Sequence, residues 1–155
     1  MNSVEIKLGR SFGVTFEHGK NFFDELSEFF KMNNLKQAFI PMFIAGFQSV
    51  EMVGACEKLE DPNAPVWSKV YLENVEVIGS GTVTYDEKND KIVPHIHISV
   101  GIKPQSGSAH TSHLLDAKVQ FLTEMLVLEV ISPKMERVVN PNLYNIALLN
   151  FRHDA

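Results

Sequence analysis

Pro94-His95-Ile96-His97-Ile98-Ser99-Val100 alternates polar and apolar side chains, which is the pattern of a β-strand with two different faces. Residues two apart on a strand point to the same side, so His95 and His97 should share one face while the apolar residues occupy the other. The β-carbons of the two histidines would then be about 6–7 Å apart. Two imidazoles at that separation can reach the same metal ion.

A second pair of histidines follows a short loop later, in His110-Thr111-Ser112-His113, so residues 94–113 hold four of the six histidines of the chain. Three neutral imidazoles and a water form an open tetrahedral zinc site in known proteins. The spacing leaves a second interpretation open, in which His95 and His97 form hydrogen bonds within a subunit interface and bind nothing. The pattern therefore indicates a metal site without naming a reaction.

The composition predicts one globular domain over residues 1–155, because 45% of the 155 residues are hydrophobic and 21% are charged. No apolar run approaches the roughly 18 residues of a membrane span. The N-terminus also lacks the basic and apolar regions of a secretory signal. Cys56 is the single cysteine, which excludes an intramolecular disulfide and fits a reducing, cytoplasmic location. We expect Cys56 to be a small core residue.

The charge balance bears on nucleic-acid binding. Fourteen Lys and Arg residues are scattered among nineteen Asp and Glu residues, and the net charge is −5. Binding to duplex DNA draws most of its affinity from basic side chains that neutralise phosphates. Autonomous DNA binding is therefore disfavoured.

Asn21 begins a segment with the features of an amphipathic helix over about 21–33. Asn is a favoured N-cap residue, and Asp24 and Glu25 follow in the first turn, where the helix dipole favours acidic side chains. Asn33-Asn34 supplies a stop. The apolar side chains recur at helical spacing on one face, which we expect to pack on a sheet: Phe22, Phe23, Leu26, Phe29 and Phe30.

Most of the remaining sequence has the pattern of strands separated by turns. Pro41 interrupts the apolar run 37–44 and should mark a bulge or an edge position. The run 143–149 should add a peripheral or edge strand. The pattern predicts an α+β domain with a mostly antiparallel β-sheet. We expect the connections to be turns at 17–20, 45–47 and 113–116, a surface loop at 57–66 and a hairpin tip at 86–90.

Four motifs in a fixed order resemble those of the PPC (plant and prokaryote conserved) domain family, in its stand-alone prokaryotic form without an AT-hook. They follow Arg10, a turn with Gly19 and the amphipathic helix. The resemblance covers about 10–131, with 138–155 as an additional strand or tail. The motifs are Val75-Glu76-Val77-Ile78, Gly81-Thr82-Val83, the His-x-His-x-Ser of residues 95–99 and Thr111-Ser112-His113-Leu114.

The resemblance implies a compact α+β subunit that assembles as a homotrimer and holds a metal ion, zinc, with three histidines. By position these ligands are His95, His97 and His113. His110 is a possible accessory residue: a fourth ligand, a proton shuttle or an ordinary loop residue. Asp116 or Glu76 could orient a ligand histidine through its second ring nitrogen.

Two departures from the plant members of the family concern DNA. Those members join the domain to AT-hooks with an Arg-Gly-Arg-Pro core, and no such core occurs in this sequence. Glu73-Asn74 also stands where the plant interaction motif has Gly-Arg. Both departures argue against DNA binding and against the partner contacts that the plant proteins make.

Three hypotheses follow. The first is a homotrimeric metal-binding PPC protein whose activity is unassigned. The second is a DNA-associated or regulatory protein that acts directly or through partners. The third is a zinc-dependent hydrolase or lyase of unknown substrate, although the sequence has no HExxH motif and no nucleophile–base arrangement tied to the histidines. The His-x-His…His spacing favours the first.

Overall fold

The computed structural model describes residues 3–55, 67–102, 105, 108–143 and 145–152. Cys56 and the predicted surface loop at 57–66 lie outside these residues. In chain order the elements are β1 (Lys7–Glu17), α1 (Phe22–Met32), β2 (Ala38–Ala55), β3 (Trp67–Asp86), β4 (Lys91–Ile102), β5 (Ala109–Ser132), β6 (Lys134–Asn140), a short 3₁₀ helix (Pro141–Leu143) and β7 (Ile146–Arg152).

The main sheet is antiparallel throughout, in the order β1-β5-β2-β3-β4. β4 also pairs with β5, so the sheet closes on itself through β2, β3, β4 and β5. β6 and β7 form a separate two-stranded sheet. The predicted mostly antiparallel sheet with a helix is confirmed.

The helix forms where its sequence predicts it. The Asn21 side-chain oxygen accepts hydrogen bonds from the backbone N–H of Phe23 and Asp24 at 2.9 and 3.1 Å, which satisfies two free donors of the first turn. The helix ends at Met32, and Asn33 is its C-cap. No helix within the described ranges is both long and apolar enough to cross a membrane. Phe22 is fully buried, and its ring contacts those of Phe16, Phe23, Phe43 and Phe47.

The turn predicted at 45–47 is wrong, because β2 runs unbroken from Ala38 to Ala55. Gly46 lies in the sheet between Glu76 of β3 and Gln120 of β5. A β-carbon at Gly46 would lie 2.8 Å from the Gln120 carbonyl oxygen, so this glycine permits a close backbone approach and makes no turn. The predicted irregularity at Pro41 is confirmed as a register shift between Ile40 and Phe43.

The turn predicted at 113–116 is also wrong. These residues lie inside β5, a 24-residue strand that pairs with β4 near its start, with β2 along most of its length and with β1 near its end. Glu51 pairs with Asp116 and Met52 with Leu114, so Leu115 is an extra residue on β5. Such a bulge interrupts the two-residue alternation, which explains why the sequence resembles a turn there.

The C-terminal strand is present and peripheral, but it begins and ends three residues later than predicted. β7 covers Ile146–Arg152 and pairs with β6, whereas the sequence predicts an edge or peripheral strand at 143–149. The Gln37 side chain connects this hairpin to the main sheet, since its Oε1 accepts from the Met135 N–H at 2.7 Å and its Nε2 donates to the Pro133 carbonyl at 2.9 Å. The connection places β6 beside β3.

Arg10 joins β1, β5 and the end of the helix. Its Nε and Nη2 donate to the two carboxylate oxygens of Glu129, each at 2.8 Å, and Nη2 also donates to the Asn33 carbonyl at 3.0 Å. The hydrogen bonds from Arg10 lower the pKa of Glu129 from 4.5 to about 2. The charged carboxylate is therefore the form that the folded state favours.

We expect Glu129→Gln to destabilise the protein at neutral pH and to flatten its response to acid. Because the pKa of Glu129 is lower in the folded chain, its contribution is complete above about pH 4.5 and is lost as the pH falls towards 2. Urea unfolding at a series of pH values should show the two proteins converging over that interval. Glu28→Gln, at an exposed position of the helix, is the control and should keep the acid response of the wild type. A constant difference between wild type and Glu129→Gln down to pH 2 would contradict this account.

Candidate metal centre

Three histidines meet on the outer face of the closed sheet, where β4 pairs with β5. On β4 the side chains of Ile96 and Ile98 are buried in the core, so His95 and His97 face outward together, as the alternation predicts. His113 is the direct cross-strand partner of His97 on β5. The closing pairing of the sheet thus brings a third imidazole to the first two.

The three rings are close enough for one ion. The Nε2 atoms of His95 and His97 are 3.1 Å apart. The ring of His113 lies 4.9 Å from that of His95 and 5.5 Å from that of His97, measured between centroids. One ring nitrogen from each histidine lies within 4.8 Å of the others, and these atoms could hold a metal ion.

The other sequence candidates do not join this group. His110 pairs with Val100 and is three residues from His113, which puts its side chain on the opposite face of β5. The Asp116 carboxylate accepts a hydrogen bond from the Asn21 side chain at 2.7 Å, at the start of the helix. Glu76 is exposed and pairs with Gly101, four residues along β4 from His97.

Arg137 is a neighbour of the histidines that the sequence analysis misses. It lies on β6, and its Nη2 donates to the Thr82 hydroxyl at 2.6 Å. Its charge helps to lower the pKa values of His95 and His113. No spacing ties Arg137 to the histidines, because the β6–β7 hairpin brings it to them from a distant part of the chain.

Two of the three histidines, His95 and His113, favour their neutral form. Burial lowers the pKa of His95 to about 4, with smaller contributions from the charges of Arg137, His113 and His97. Burial also lowers the pKa of His113, and the charges of His97 and Arg137 act in the same direction. Neutral imidazole is the form that binds a metal ion, so both residues are ready to act as ligands at neutral pH.

An open cavity of about 1010 Å³ lies over the three histidines. β2, β3, β4 and β5 form one part of its wall, and Arg137, Asn145 and Ile146 of the C-terminal segment form another. Its charged lining residues, within the part of the chain that the structure describes, are Lys69 and Arg137. The site therefore has room for a small molecule next to the imidazoles.

Several solved structures share this fold. A plant- and prokaryote-conserved (PPC) protein from Pyrococcus horikoshii superposes with a TM-score of 0.79 at 21% identity, over 99% of both chains. A metal-containing protein from Archaeoglobus fulgidus gives a TM-score of 0.78 at 23% identity, over 96% of this chain and 98% of that one. A protein from Bacteroides thetaiotaomicron, named as a candidate DNA-binding protein, gives 0.74 at 19% identity, over 94% and 97% of the two chains.

Sequence comparison identifies the family. Among curated proteins, none has significant similarity to this chain. A sequence profile of the Plants and Prokaryotes Conserved (PCC) domain, the family abbreviated PPC above, matches residues 4–131, which include β1 to β4, the helix and nearly all of β5. The family expected from the four motifs is thereby confirmed. The chain belongs to the Plants and Prokaryotes Conserved domain family.

Proposed function

We propose that this chain is a cytoplasmic, homotrimeric PPC protein that binds one zinc ion with His95, His97 and His113. The observation that carries the proposal is the group of three imidazoles whose nitrogens lie within 4.8 Å of one another. Its activity is left unassigned. The name of the Archaeoglobus fulgidus protein, which describes it as metal-containing, agrees with the proposal.

The donor set suits zinc. Three imidazoles form an all-nitrogen donor set, which zinc accepts readily, whereas magnesium and calcium prefer oxygen ligands. The low pKa values of His95 and His113 support this, since protons do not compete for their nitrogens near neutral pH. A zinc ion with three protein ligands keeps an open position, where it can polarise a ligand or lower the pKa of a bound water.

An exposed apolar patch supports the homotrimer. Ile44 of β2 pairs with Ile78 of β3, and Met42 pairs with Leu126 of β5. All four side chains lie on the outside of the sheet, and Ile78 is 58% exposed. Contiguous apolar side chains on a sheet surface are typical of an interface between subunits. The patch is therefore the proposed surface of association.

The zinc proposal predicts the metal content of the purified protein. We expect about one zinc per chain after dialysis against metal-free buffer, because three imidazoles are enough for tight binding. In the His95→Ala, His97→Ala double variant the zinc should fall to background, since one histidine does not retain the ion. Elemental analysis measures both. His110→Ala is the matched control, and it should keep the wild-type content.

Two results of that experiment would count against the proposal. If the wild-type protein acquires no zinc even when it is refolded with zinc, the proposed metal site is wrong. If the double variant keeps its zinc, the ion binds at residues other than the three histidines. Light scattering on the same samples tests the assembly, which should have about three times the 17.5 kDa mass of the chain.

DNA association is the second candidate, and the name of the Bacteroides thetaiotaomicron protein is the observation that favours it. The net charge of −5 argues against direct binding. Titrating labelled duplex DNA with the protein at low salt shows whether the protein binds DNA directly. Affinity that falls steeply with added salt would support direct binding, and no affinity at low salt would exclude it.

A further inference from the structure

The cavity over the histidines has a charge opposite to that of the chain as a whole. The chain carries a net charge of −5, yet the described lining residues include Lys69 and Arg137 and no aspartate or glutamate. Lys69 forms an ion pair with Glu51 of β2, which neutralises much of its charge. Arg137 remains as the main positive charge beside the imidazoles.

Arg137 has no anionic partner among the described residues. Its guanidinium is half-buried, and the ion pairs of the described chain do not include it. Thr82, a neutral residue, accepts its hydrogen bond from Nη2, and its buried Nε has no acceptor in the same part of the chain. A guanidinium taken partly out of water needs an anion or several acceptors to offset the loss of hydration.

The hydrogen bond to Thr82 fixes one end of the guanidinium, and Arg137 is one of the residues that line the cavity. Much of the remaining wall is apolar, including Val53, Val93, Leu115 and Ile146. A ligand that fits this wall has a negatively charged end for Arg137 and a hydrocarbon body for the rest. The planar fork of an arginine matches the two oxygens of a carboxylate.

We propose that the cavity binds a small organic carboxylate, whose carboxylate group is held by Arg137 beside the three histidines. The inference rests on the proposed zinc site for the chemistry of the pocket, because a dication coordinated by neutral ligands adds to the positive charge there. Arg137, Asn145 and Ile146 lie beyond residues 4–131, so the C-terminal segment selects the ligand while the conserved domain supplies the histidines.

The test is calorimetric titration of the zinc-loaded protein with butanoate and with butanamide, its neutral counterpart of nearly the same shape. We expect butanoate to bind and butanamide to bind at least about tenfold more weakly, as hydrogen bonds to a charged group are worth about 1.5–3 kcal/mol. Arg137→Met should weaken butanoate by about 10- to 100-fold and leave butanamide unchanged. Arg137→Lys keeps the charge without the fork and should lie between them.

The matched control is Lys69→Met, which removes the other cation of the cavity and should change the affinity for butanoate much less. Equal binding of butanoate to wild type and Arg137→Met would overturn the inference, as would equal binding of the two probes to the wild type. Inorganic phosphate that binds through Arg137 while butanoate does not bind would overturn it as well. If Arg137→Met fails to fold, Thr82→Val serves instead, since it releases the guanidinium without removing it and should also weaken butanoate.

Measuring the zinc content distinguishes a failure of the carboxylate site from a failure of the proposed zinc site. A protein that holds zinc but shows no effect of Arg137→Met on butanoate refutes the carboxylate site alone. A protein that holds no zinc refutes the metal site. In that case the same titrations on the metal-free chain decide the carboxylate site, because Arg137 keeps its position on β6 without the ion.

Discussion

Gly81→Ala should destabilise the protein by about 3 kcal/mol, since a side chain forced into a packed region displaces its surroundings. Gly81 of β3 pairs with Ile96 of β4. A β-carbon at this position would lie 2.3 Å from the backbone oxygen of His95 and 2.6 Å from the Ile96 Cδ1 atom. The Ile96 side chain is fully buried, and the His95 oxygen belongs to the backbone of the paired strand. The His95 oxygen can move away only if the two strands separate, and the Ile96 side chain can move only by disturbing the packed core around it.

The measurement is urea unfolding of the wild type and of two alanine variants. Gly13→Ala is the matched control, because Gly13 also lies in a strand of the same sheet and a β-carbon there has no neighbour within 4 Å. Gly13→Ala should leave the free energy of unfolding unchanged or raise it by up to about 1 kcal/mol, because alanine lowers the conformational entropy of the unfolded chain. Equal free energies of unfolding for the two variants would contradict this prediction, because they would show that β3 and β4 accommodate a side chain at Gly81 without a loss of stability. The displacement of His95 should also reduce the zinc content of any folded Gly81→Ala protein.

Local chemistry explains which parts of the fold could be predicted from the sequence. The N-cap at Asn21, the acidic first turn and the phenylalanine face are each properties of neighbouring residues, and the helix forms there. The hairpin tip at 86–90 is equally local, and the Asp86 carboxylate accepts hydrogen bonds from the backbone of Lys88 and Asn89. The shared face of His95 and His97 follows from strand alternation alone.

The two wrong turns have different local causes. At Gly46, a residue type common in turns lies inside β2, where the backbone of Gln120 approaches closely. At Leu115 an extra residue interrupts the two-residue alternation while β5 continues. A break in alternation is the same signal that a turn gives. The distinction depends on the paired strand, which lies far away in sequence, so local patterns cannot make it.

The candidate site likewise contains residues that local sequence patterns predict and residues that they do not. His113 faces the first two histidines because it pairs with His97. The spacing of the histidines does not determine this register, and only the family resemblance predicts His113 as a ligand. Arg137 lies beyond the part of the chain that the resemblance covers, and the sequence around it, Met135-Glu136-Arg137-Val138, has no pattern typical of a binding site. Its role becomes visible only when the β6–β7 hairpin is seen beside the histidines.

Zinc should raise the melting temperature of the wild type by about 10 °C relative to chelator-treated protein at the same chain concentration. A ligand that binds the folded state stabilises it by about 4 kcal/mol when its free concentration is 1,000 times the dissociation constant. For a domain of this size, each kcal/mol corresponds to about 2–4 °C. Differential scanning calorimetry with and without zinc measures the shift.

The place where the proposed ligands lie makes this shift diagnostic. β4 and β5 pair over five residue pairs, from His97–His113 to Gly101–Ala109, whereas β2 and β3 pair over fifteen. The short pairing closes the sheet, and a zinc ion shared by the two strands would hold it at its end. His113→Ala should therefore abolish the zinc-dependent shift, and His110→Ala, the control on the same strand, should retain it in full. A shift that survives in His113→Ala would contradict the cross-strand site even if some zinc still binds, because the two remaining ligands both belong to β4.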